Sequence, residues 1–147
     1  MAAAQIFSEV SPAMHEEFAL RYEGQFLARF GLTYYGCCEP LHHKLEMLER
    51  SIPNLRRVSI SPWADVEKSA ASLGDRYVFS WKPNPAIVAG PTWQPDVVRK
   101  GLRDFCRKTR GCVVDIILKD THTCCSEPHR MWEWVRIAKE VAEEFPA

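Results

Sequence analysis

The hydrophobic positions of this chain switch between two spacings, and the switches predict its secondary structure. After Ser11-Pro12, a pair typical of a helix N-terminus, aromatic residues recur at intervals of four: Phe18, Tyr22, Phe26 and Phe30. Gly31 is expected to end this helix. Beyond it, short apolar runs of the kind that form strands alternate with longer amphipathic stretches that begin at prolines. The pattern predicts one N-terminal helical segment followed by four βα units.

Four strands and four further helices are expected along the rest of the chain. The strands cover residues 32–36, 57–61, 77–81 and 112–118, and the helices begin at Pro40, Pro62, Pro95 and Pro128. A loop rich in helix-breaking residues is expected over residues 82–93. The last helix carries apolar residues at inward-facing spacing: Met131, Trp134, Ile137, Ala138 and Val141. Strands that alternate with helices of about 10 to 15 residues imply right-handed crossovers and a parallel sheet.

Two α/β architectures fit this order: a small open doubly wound sheet, and half of an eight-stranded (βα)8 barrel. A glycine-rich phosphate loop, often found after the first strand of a doubly wound sheet, is absent from the sequence. The strands also carry polar residues at alternate positions, such as Ser59 and Ser61. Asp115, inside an apolar strand, is costly to bury under helices but tolerable in a barrel lumen with a partner. We therefore expect a half-barrel, forming one domain over residues 1–147.

Composition narrows the class of protein. Nineteen basic residues balance nineteen acidic ones, so neither nucleic acid nor an anionic membrane surface is indicated as a partner. No apolar run approaches the roughly 20 residues that span a bilayer, and residues 1–5 do not read as the start of a signal peptide. Two adjacent pairs among the six cysteines favour reduced thiols over disulfides. We expect a cytoplasmic protein with a small-molecule substrate.

A phrase with two adjacent cysteines occurs twice, each time between a predicted strand and a predicted helix. Cys37-Cys38-Glu39-Pro40 follows the first strand, and Cys124-Cys125-Ser126-Glu127-Pro128-His129 follows the fourth. Loops at the carboxyl ends of parallel strands carry the sites of barrel proteins, and thiols with imidazoles are soft-metal ligands. The two phrases therefore predict a candidate metal site, unless these cysteines are only small buried residues at strand ends.

Zinc is the metal that this set of residues would suit. The candidate ligands are Cys37, Cys38, Glu39, Cys124 and Cys125, with Cys38 and Cys124 preferred and His122 or His129 as further candidates. Such a site would keep an open position for a thiol substrate, and bound zinc would keep the substrate sulfur deprotonated. Cys106 and Cys112, on a helix stripe and in a strand, are expected in the core.

Further candidates for catalysis lie at the ends of the last two strands. Lys82 and Asn84 follow the third strand beside prolines, and His122 follows the fourth. Asp115 is a fourth candidate, although with Lys119 it could equally form a buried ion pair that fills the lumen. Arg57, at the start of the second strand, is expected at the opposite end from the site and in solvent.

Five segments carry a resemblance to a known family. They are Gln5-Ile6-Phe7-Ser8-Glu9-Val10-Ser11-Pro12, Tyr34-Tyr35-Gly36-Cys37-Cys38, Ser59-Ile60-Ser61-Pro62-Trp63-Ala64-Asp65, Lys82-Pro83-Asn84-Pro85 and Lys119-Asp120-Thr121-His122-Thr123-Cys124. In this order they resemble the second half of the barrel in the uroporphyrinogen decarboxylase superfamily. The resemblance covers nearly the whole chain, and it implies that the first half of the barrel is missing.

The resemblance implies two reactions. The family's decarboxylases use no metal, and its cobalamin-linked methyltransferases bind zinc through a His-x-Cys motif and a later cysteine. That motif falls on Tyr35-Gly36-Cys37 or Gly36-Cys37-Cys38, in both cases without its histidine, and the later cysteine on Cys124 or Cys125. The decarboxylases' substrate-site histidine lies nearest to His122. The implied function is a zinc-thiol methyltransferase-type half-barrel with a corrinoid or thiol partner, and the alternatives are a metal-free tetrapyrrole decarboxylase and an inactive split barrel that only self-associates.

Four parallel strands with residues facing a lumen would leave two unpaired edges and an exposed inner face. Closure of the barrel would cover both. We therefore expect either a homodimer that completes an eight-stranded barrel or a complex with a separate N-terminal half.

Overall fold

The computed structural model describes residues 1–3 and 5–146 and has an α/β architecture. Four strands are present, β1 (Thr33–Tyr35), β2 (Leu55–Ile60), β3 (Val78–Trp81) and β4 (Val113–Ile116). The α-helices are α1 (Pro12–His15), α2 (Arg21–Leu27), α3 (Leu45–Ser51), α4 (Val66–Leu73), α5 (Ala86–Ala89), α6 (Pro95–Lys108) and α7 (His129–Glu143), and a π-helix (Glu16–Leu20) joins α1 to α2. Within the described residues, no helix is long and apolar enough to cross a membrane.

The four strands form one sheet in which spatial order follows sequence order, β1-β2-β3-β4, and every neighbouring pair is parallel. This confirms the predicted parallel sheet. Parallel crossovers are right-handed in nearly all proteins, so an unreversed strand order places the connecting helices on the same face of the sheet. Consistently, α3 packs against α4, α4 against α6, and α6 against α7.

The core lies between the apolar face of the sheet and this layer of helices. Val58, Ile60 and Phe79 are fully buried on the sheet side, and their parallel register places Val58 directly beside Phe79. Trp81 stacks on Phe105 of α6 with ring centroids 4.0 Å apart. The inward-facing spacing predicted for the last helix is confirmed at Trp134, Ile137 and Val141, which are all buried.

The N-terminal helical segment is anchored to β1 by a buried polar cluster. Nε2 of His15 lies 2.8 Å from the Tyr35 hydroxyl oxygen, and that hydroxyl donates to the Glu23 carboxylate at 2.6 Å. The Phe7 ring stacks on the His15 ring at 5.0 Å. Burial, assisted by the nearby Lys44 ammonium and His43, lowers the pKa of His15 to about 4. His15 is therefore a neutral core residue near neutral pH.

The aromatic side of this segment faces away from the core. Phe18, Tyr22, Phe26 and Phe30, which we call the aromatic stripe, are each between 50% and 63% exposed. The side toward the core carries Ala19, Leu20 and Leu27, which are buried. The periodicity thus locates a helix correctly, while the stripe itself is uncovered in the isolated chain.

Several predicted element boundaries differ from the structure. The N-terminal helical segment, expected to end at Gly31, ends at Leu27, and the helix expected from Pro62 begins at Val66. The helix expected from Pro40 begins at Leu45, because residues 41–44 form a turn in which the Lys44 amide donates to the Leu41 carbonyl at 2.9 Å. The expected loop over residues 82–93 contains the short helix α5. Its first turn is stabilised by the Asn84 side-chain oxygen, which accepts from the Ala86 amide at 3.0 Å.

Candidate functional site

The face of the sheet opposite the helices is polar at its centre. Its side chains come from all four strands and from the residue after β3: Tyr34, Arg57, Ser59, Ser80, Lys82 and Asp115, which we call the polar face. Alternation along each strand puts these residues on one side and the core residues on the other. The register then aligns Ser59 with Ser80 and Ser80 with Asp115 across three strands.

Lys82 is the centre of this face. It is only 4% exposed, and its ammonium donates to the Tyr34 hydroxyl at 2.7 Å, to the Cys37 carbonyl at 3.1 Å and to the Ser59 hydroxyl. All three acceptors are neutral. A buried charge is normally paired with an opposite charge, because desolvation without such a partner costs several kcal/mol. The site therefore contains a desolvated cation, and a functional role for Lys82 stays a prediction.

Tyr34 lies between two cations. The Lys82 nitrogen is 5.2 Å from the centroid of its ring, and the guanidinium carbon of Arg57 is 4.7 Å from it. Burial alone would raise the pKa of Tyr34, but hydrogen bonds from Lys82, Ser80 and Ser59 outweigh it and lower this pKa below its ordinary value of 10. The phenol is therefore a stronger acid than an exposed tyrosine.

Arg57 contradicts the prediction that it is solvated at the far end of the barrel. Its guanidinium pairs with the Asp115 carboxylate at 2.5 Å and lies 3.3 Å from the Ser80 hydroxyl. The predicted Asp115–Lys119 pair is also wrong, because Lys119 lies beyond the end of β4 and pairs instead with Asp120 at 2.8 Å. The long arginine side chain crosses β3 to reach Asp115, and the two charges neutralise each other.

Beside Lys82, the first cysteine pair forms a cluster with residues that follow β4; we call Cys37, Cys38, Lys119 and Asp120 the thiol cluster. The two sulfur atoms are 3.3 Å apart, and the Lys119 nitrogen lies 2.6 Å from the Cys38 sulfur. Burial raises the pKa of Cys38 to about 11, against the opposing effect of Lys119. The hydrogen bond from Lys119 lowers the pKa of the Asp120 carboxyl. Cys38 is therefore a protonated thiol that donates to Asp120 at 3.2 Å.

The second cysteine pair has different surroundings. The Cys125 thiol donates to the carbonyls of Ala89 and Gly90, at 3.2 and 3.5 Å, at the C-terminal end of α5. Cys124 is half-buried. Among residues 1–3 and 5–146, no group of three or more His, Cys, Asp or Glu side chains is placed to hold one metal ion. The zinc set predicted from Cys38 and Cys124 therefore still rests on the sequence.

The remaining predicted site residues lie outside the polar face. His122 is exposed, and Asn84 is exposed and caps α5 instead of joining Lys82. Glu39 is buried, and within the described part of the chain neither of its carboxylate oxygens has a hydrogen-bond partner. Of the four predicted catalytic residues, the structure brings Lys82 and Asp115 to one face.

Tyr34 and Ser80 are not among the predicted site residues. Both occupy strand positions that alternate with core residues, between Thr33 and Tyr35 in β1 and between Phe79 and Trp81 in β3. A polar residue at such a position in several consecutive strands is the signal that could have identified them, and the same signal underlies the expectation for Ser59, Ser61 and Asp115.

The polar face offers hydrogen-bond donors, a buried ammonium that has neutral hydrogen-bond acceptors in the part of the chain that the structure describes, and an acidic phenol. Such a set is suited to an anionic group and to proton transfer. Comparison with known proteins assigns no family, since no protein-family model, curated protein or solved structure matches this chain.

Proposed function

We propose that this chain is the C-terminal half of an eight-stranded βα barrel of the uroporphyrinogen decarboxylase type. The unreversed strand order supports this proposal, because a sheet wound in one direction, with its helices on one face, curves toward closure. The polar face supports it as well, since in a closed barrel the side without helices lines the lumen. An open doubly wound sheet would instead carry helices on both faces.

Both flanks of the half-barrel are apolar where neighbouring units of a closed barrel would pack. On the N-terminal flank the aromatic stripe is exposed. On the other flank a groove of about 990 Å³ runs between β4 and α7, with Val113, Val114, Val135 and Ala138 among its lining residues. Exposed apolar surface of this extent is typical of an interface. We propose that a second copy of the chain, or a separate N-terminal half, covers both flanks.

Sedimentation velocity tests this assembly. The purified protein is expected to sediment as a dimer or larger at micromolar concentration, and Phe26→Lys on the aromatic stripe should weaken association at least tenfold. Trp63→Lys is the matched control, because Trp63 is 68% exposed in the loop after β2, away from both flanks. A stable, soluble monomer of the unaltered chain would contradict closure by a second copy and leave only a separate partner half, which co-purification from the native host would have to reveal.

For the chemistry, we propose a metal-free reaction on a small molecule that carries carboxylates, of the tetrapyrrole decarboxylase type. The observation that carries this proposal is the buried Lys82 ammonium, whose hydrogen-bond acceptors within the described residues are all neutral. A substrate carboxylate at this position would supply the missing negative charge. Ser59 and Ser80, both fully buried, add hydroxyl groups that can orient such a ligand.

Binding of uroporphyrin, a carboxylate-rich tetrapyrrole, tests this proposal by tryptophan fluorescence on the protein in its purified oligomeric state. Replacement Lys82→Met should weaken binding at least tenfold, which corresponds to about 1.4 kcal/mol. Lys68→Met is the matched control, because Lys68 is exposed on α4 and its ammonium forms an ion pair with Asp65, outside the polar face. The methyl ester of the same porphyrin should not bind. Equal affinity of the Lys82→Met variant and the unaltered protein would refute the proposal.

Zinc-dependent methyl transfer to or from a thiol or corrinoid partner is the second candidate function. It is favoured by the two thiols of the thiol cluster, 3.3 Å apart, with the Asp120 carboxylate 3.2 Å from the Cys38 sulfur. These atoms are chemically suited to zinc, but the Lys119 ammonium at 2.6 Å would have to leave the Cys38 sulfur.

Elemental analysis of protein purified without chelator tests this second candidate. Zinc should be present, and the double replacement of Cys38 and Cys124 by serine should abolish it. Absence of zinc from the unaltered protein, or its retention by the double variant, would contradict the zinc-thiol hypothesis. If the protein bound neither zinc nor the porphyrin, an inactive split barrel that only self-associates would be the remaining alternative.

A further inference from the structure

Tyr34 is held in a hydrogen-bonded group that resembles an acid–base centre. Its hydroxyl oxygen accepts from Lys82 at 2.7 Å and lies 3.3 Å from the Ser80 hydroxyl. Because an ammonium can only donate, the Tyr34 proton must point away from Lys82, toward Ser80 or toward the open polar face. Arg57 stacks on the ring from β2 and is itself neutralised by Asp115 of β4.

We propose that Tyr34 is the proton donor of this site and that Lys82 positions it and stabilises its phenolate. This inference rests on the proposed function. In a decarboxylation, the bond between the substrate carbon and its carboxylate breaks, carbon dioxide leaves, and the electron pair remains on carbon. That carbon then takes the Tyr34 proton. The phenolate left beside the Lys82 ammonium regains a proton from water, which reaches it because Tyr34 is only half-buried.

The other groups on the polar face are less suited to donate this proton. The Lys82 ammonium is engaged by three acceptors. Arg57 and Asp115 are engaged with each other in an ion pair. Ser59 donates its own proton to the Cys37 carbonyl at 2.5 Å. Tyr34 thus combines a proton directed away from Lys82, toward Ser80 or the open face, with a neighbour that stabilises its conjugate base.

Titration by NMR tests this role without the need for turnover. The ring carbon that bears oxygen reports ionisation in a protein labelled at its four tyrosines, and Tyr34→Phe assigns the Tyr34 signal. Tyr34 should ionise at lower pH than an ordinary tyrosine. Lys82→Met should decrease its ionisation constant at least tenfold, Lys82→Arg should restore part of the effect, and Lys68→Met should leave it unchanged. Ionisation at or above the ordinary pH, or no response to Lys82→Met, would overturn the proposal.

A second form of this test uses a carboxylate ligand and needs no variant of the protein. If uroporphyrin places a carboxylate on Lys82, it competes with the phenolate, and saturation should move the Tyr34 ionisation to higher pH. If uroporphyrin does not bind but Tyr34 ionises at lower pH than an ordinary tyrosine, the proposed substrate class is refuted and the role of Tyr34 as proton donor is retained. If uroporphyrin binds but Tyr34 ionises at or above the ordinary pH, the role of Tyr34 is refuted and the substrate class is retained. In the assembled enzyme, Tyr34→Phe should bind the porphyrin normally but lose at least a hundredfold in turnover.

Discussion

Acidification should destabilise this protein before its carboxylates titrate, because of a single histidine. His15 is fully buried between the N-terminal helical segment and β1, and its Nδ1 has no partner among the described residues. Burial lowers its pKa from 6.5 to about 4. Between these two pH values the unfolded chain binds a proton at His15 and the folded protein does not. The free energy of unfolding must therefore fall as the pH decreases through this window.

The size of the effect follows from the same two values. One pKa unit corresponds to about 1.4 kcal/mol, so the whole window is equivalent to about 3 kcal/mol of stability. Only part of it is lost by pH 5, where the folded protein still keeps His15 mostly neutral. Linkage gives a loss of about 2 kcal/mol between pH 7 and pH 5 from this residue alone. That is a substantial share of the 5 to 15 kcal/mol typical of a domain.

Urea denaturation at pH 7 and pH 5, followed by circular dichroism, measures this loss. The His15→Gln variant keeps a polar side chain beside Tyr35 but cannot titrate, so its loss should be smaller than that of the unaltered protein by about 2 kcal/mol. His129→Gln is the matched control, because His129 is exposed on α7 and its loss should not be reduced. Equal pH dependence of the His15→Gln variant and the unaltered protein would refute the reasoning.

Three further predictions concern single side chains. Replacement Arg130→Met should lower the free energy of unfolding, measured in urea, by about 3 kcal/mol, because this 2%-exposed guanidinium donates to three backbone carbonyls in and after α5. An unchanged free energy of unfolding would contradict this anchoring role. Gly36→Ala should lower the free energy of unfolding by about 1–3 kcal/mol in the same assay, because the φ of Gly36 is 95° and an added Cβ would lie 2.7 Å from a leucine methyl group. Gly31→Ala, where an added Cβ meets open space, should leave this free energy nearly unchanged. Mass spectrometry should show that Cys38 is alkylated about tenfold more slowly than the exposed Cys125, because burial raises the pKa of the Cys38 thiol to about 11. Equal alkylation rates of the two cysteines would contradict this prediction.

The fold was largely predictable because its signals are local. Each strand is a short segment next to glycine or proline residues that break regular structure, and the sequential order of four βα units follows from the alternation of strands and helices. The periodicity of apolar residues does not show which part of the protein packs against the apolar side of a helix. The aromatic stripe recurs at helical intervals, as the buried apolar residues of α7 do, yet it is exposed. Such spacing shows that one side of a helix is apolar, but it does not show what covers that side.

The position of a site residue was predictable only where it depends on a single strand. Lys82 was found because it follows β3 directly, and that position lies at the carboxyl end of the strand wherever the strand sits in the sheet. The partner of Asp115 was predicted wrongly because it depends on the register of three strands and on the reach of a long side chain. Arg57 lies 58 residues away in the sequence, beyond the range of any local pattern. The partner of a charge is a tertiary property, while its place at a strand end is a local one.

The distribution of polarity over the surface connects the assembly with the chemistry. A sheet face that another protein layer simply covers would gain stability from apolar residues, as the helix-side face does with Val58 and Phe79. The polar face instead holds Lys82 and two buried serines, and burying these polar groups lowers stability unless a ligand binds them. The flanks show the reverse distribution, because apolar residues are exposed there. Protein contacts are therefore expected at the flanks and a polar ligand at the polar face, and a barrel completed at its flanks would enclose that ligand in its lumen.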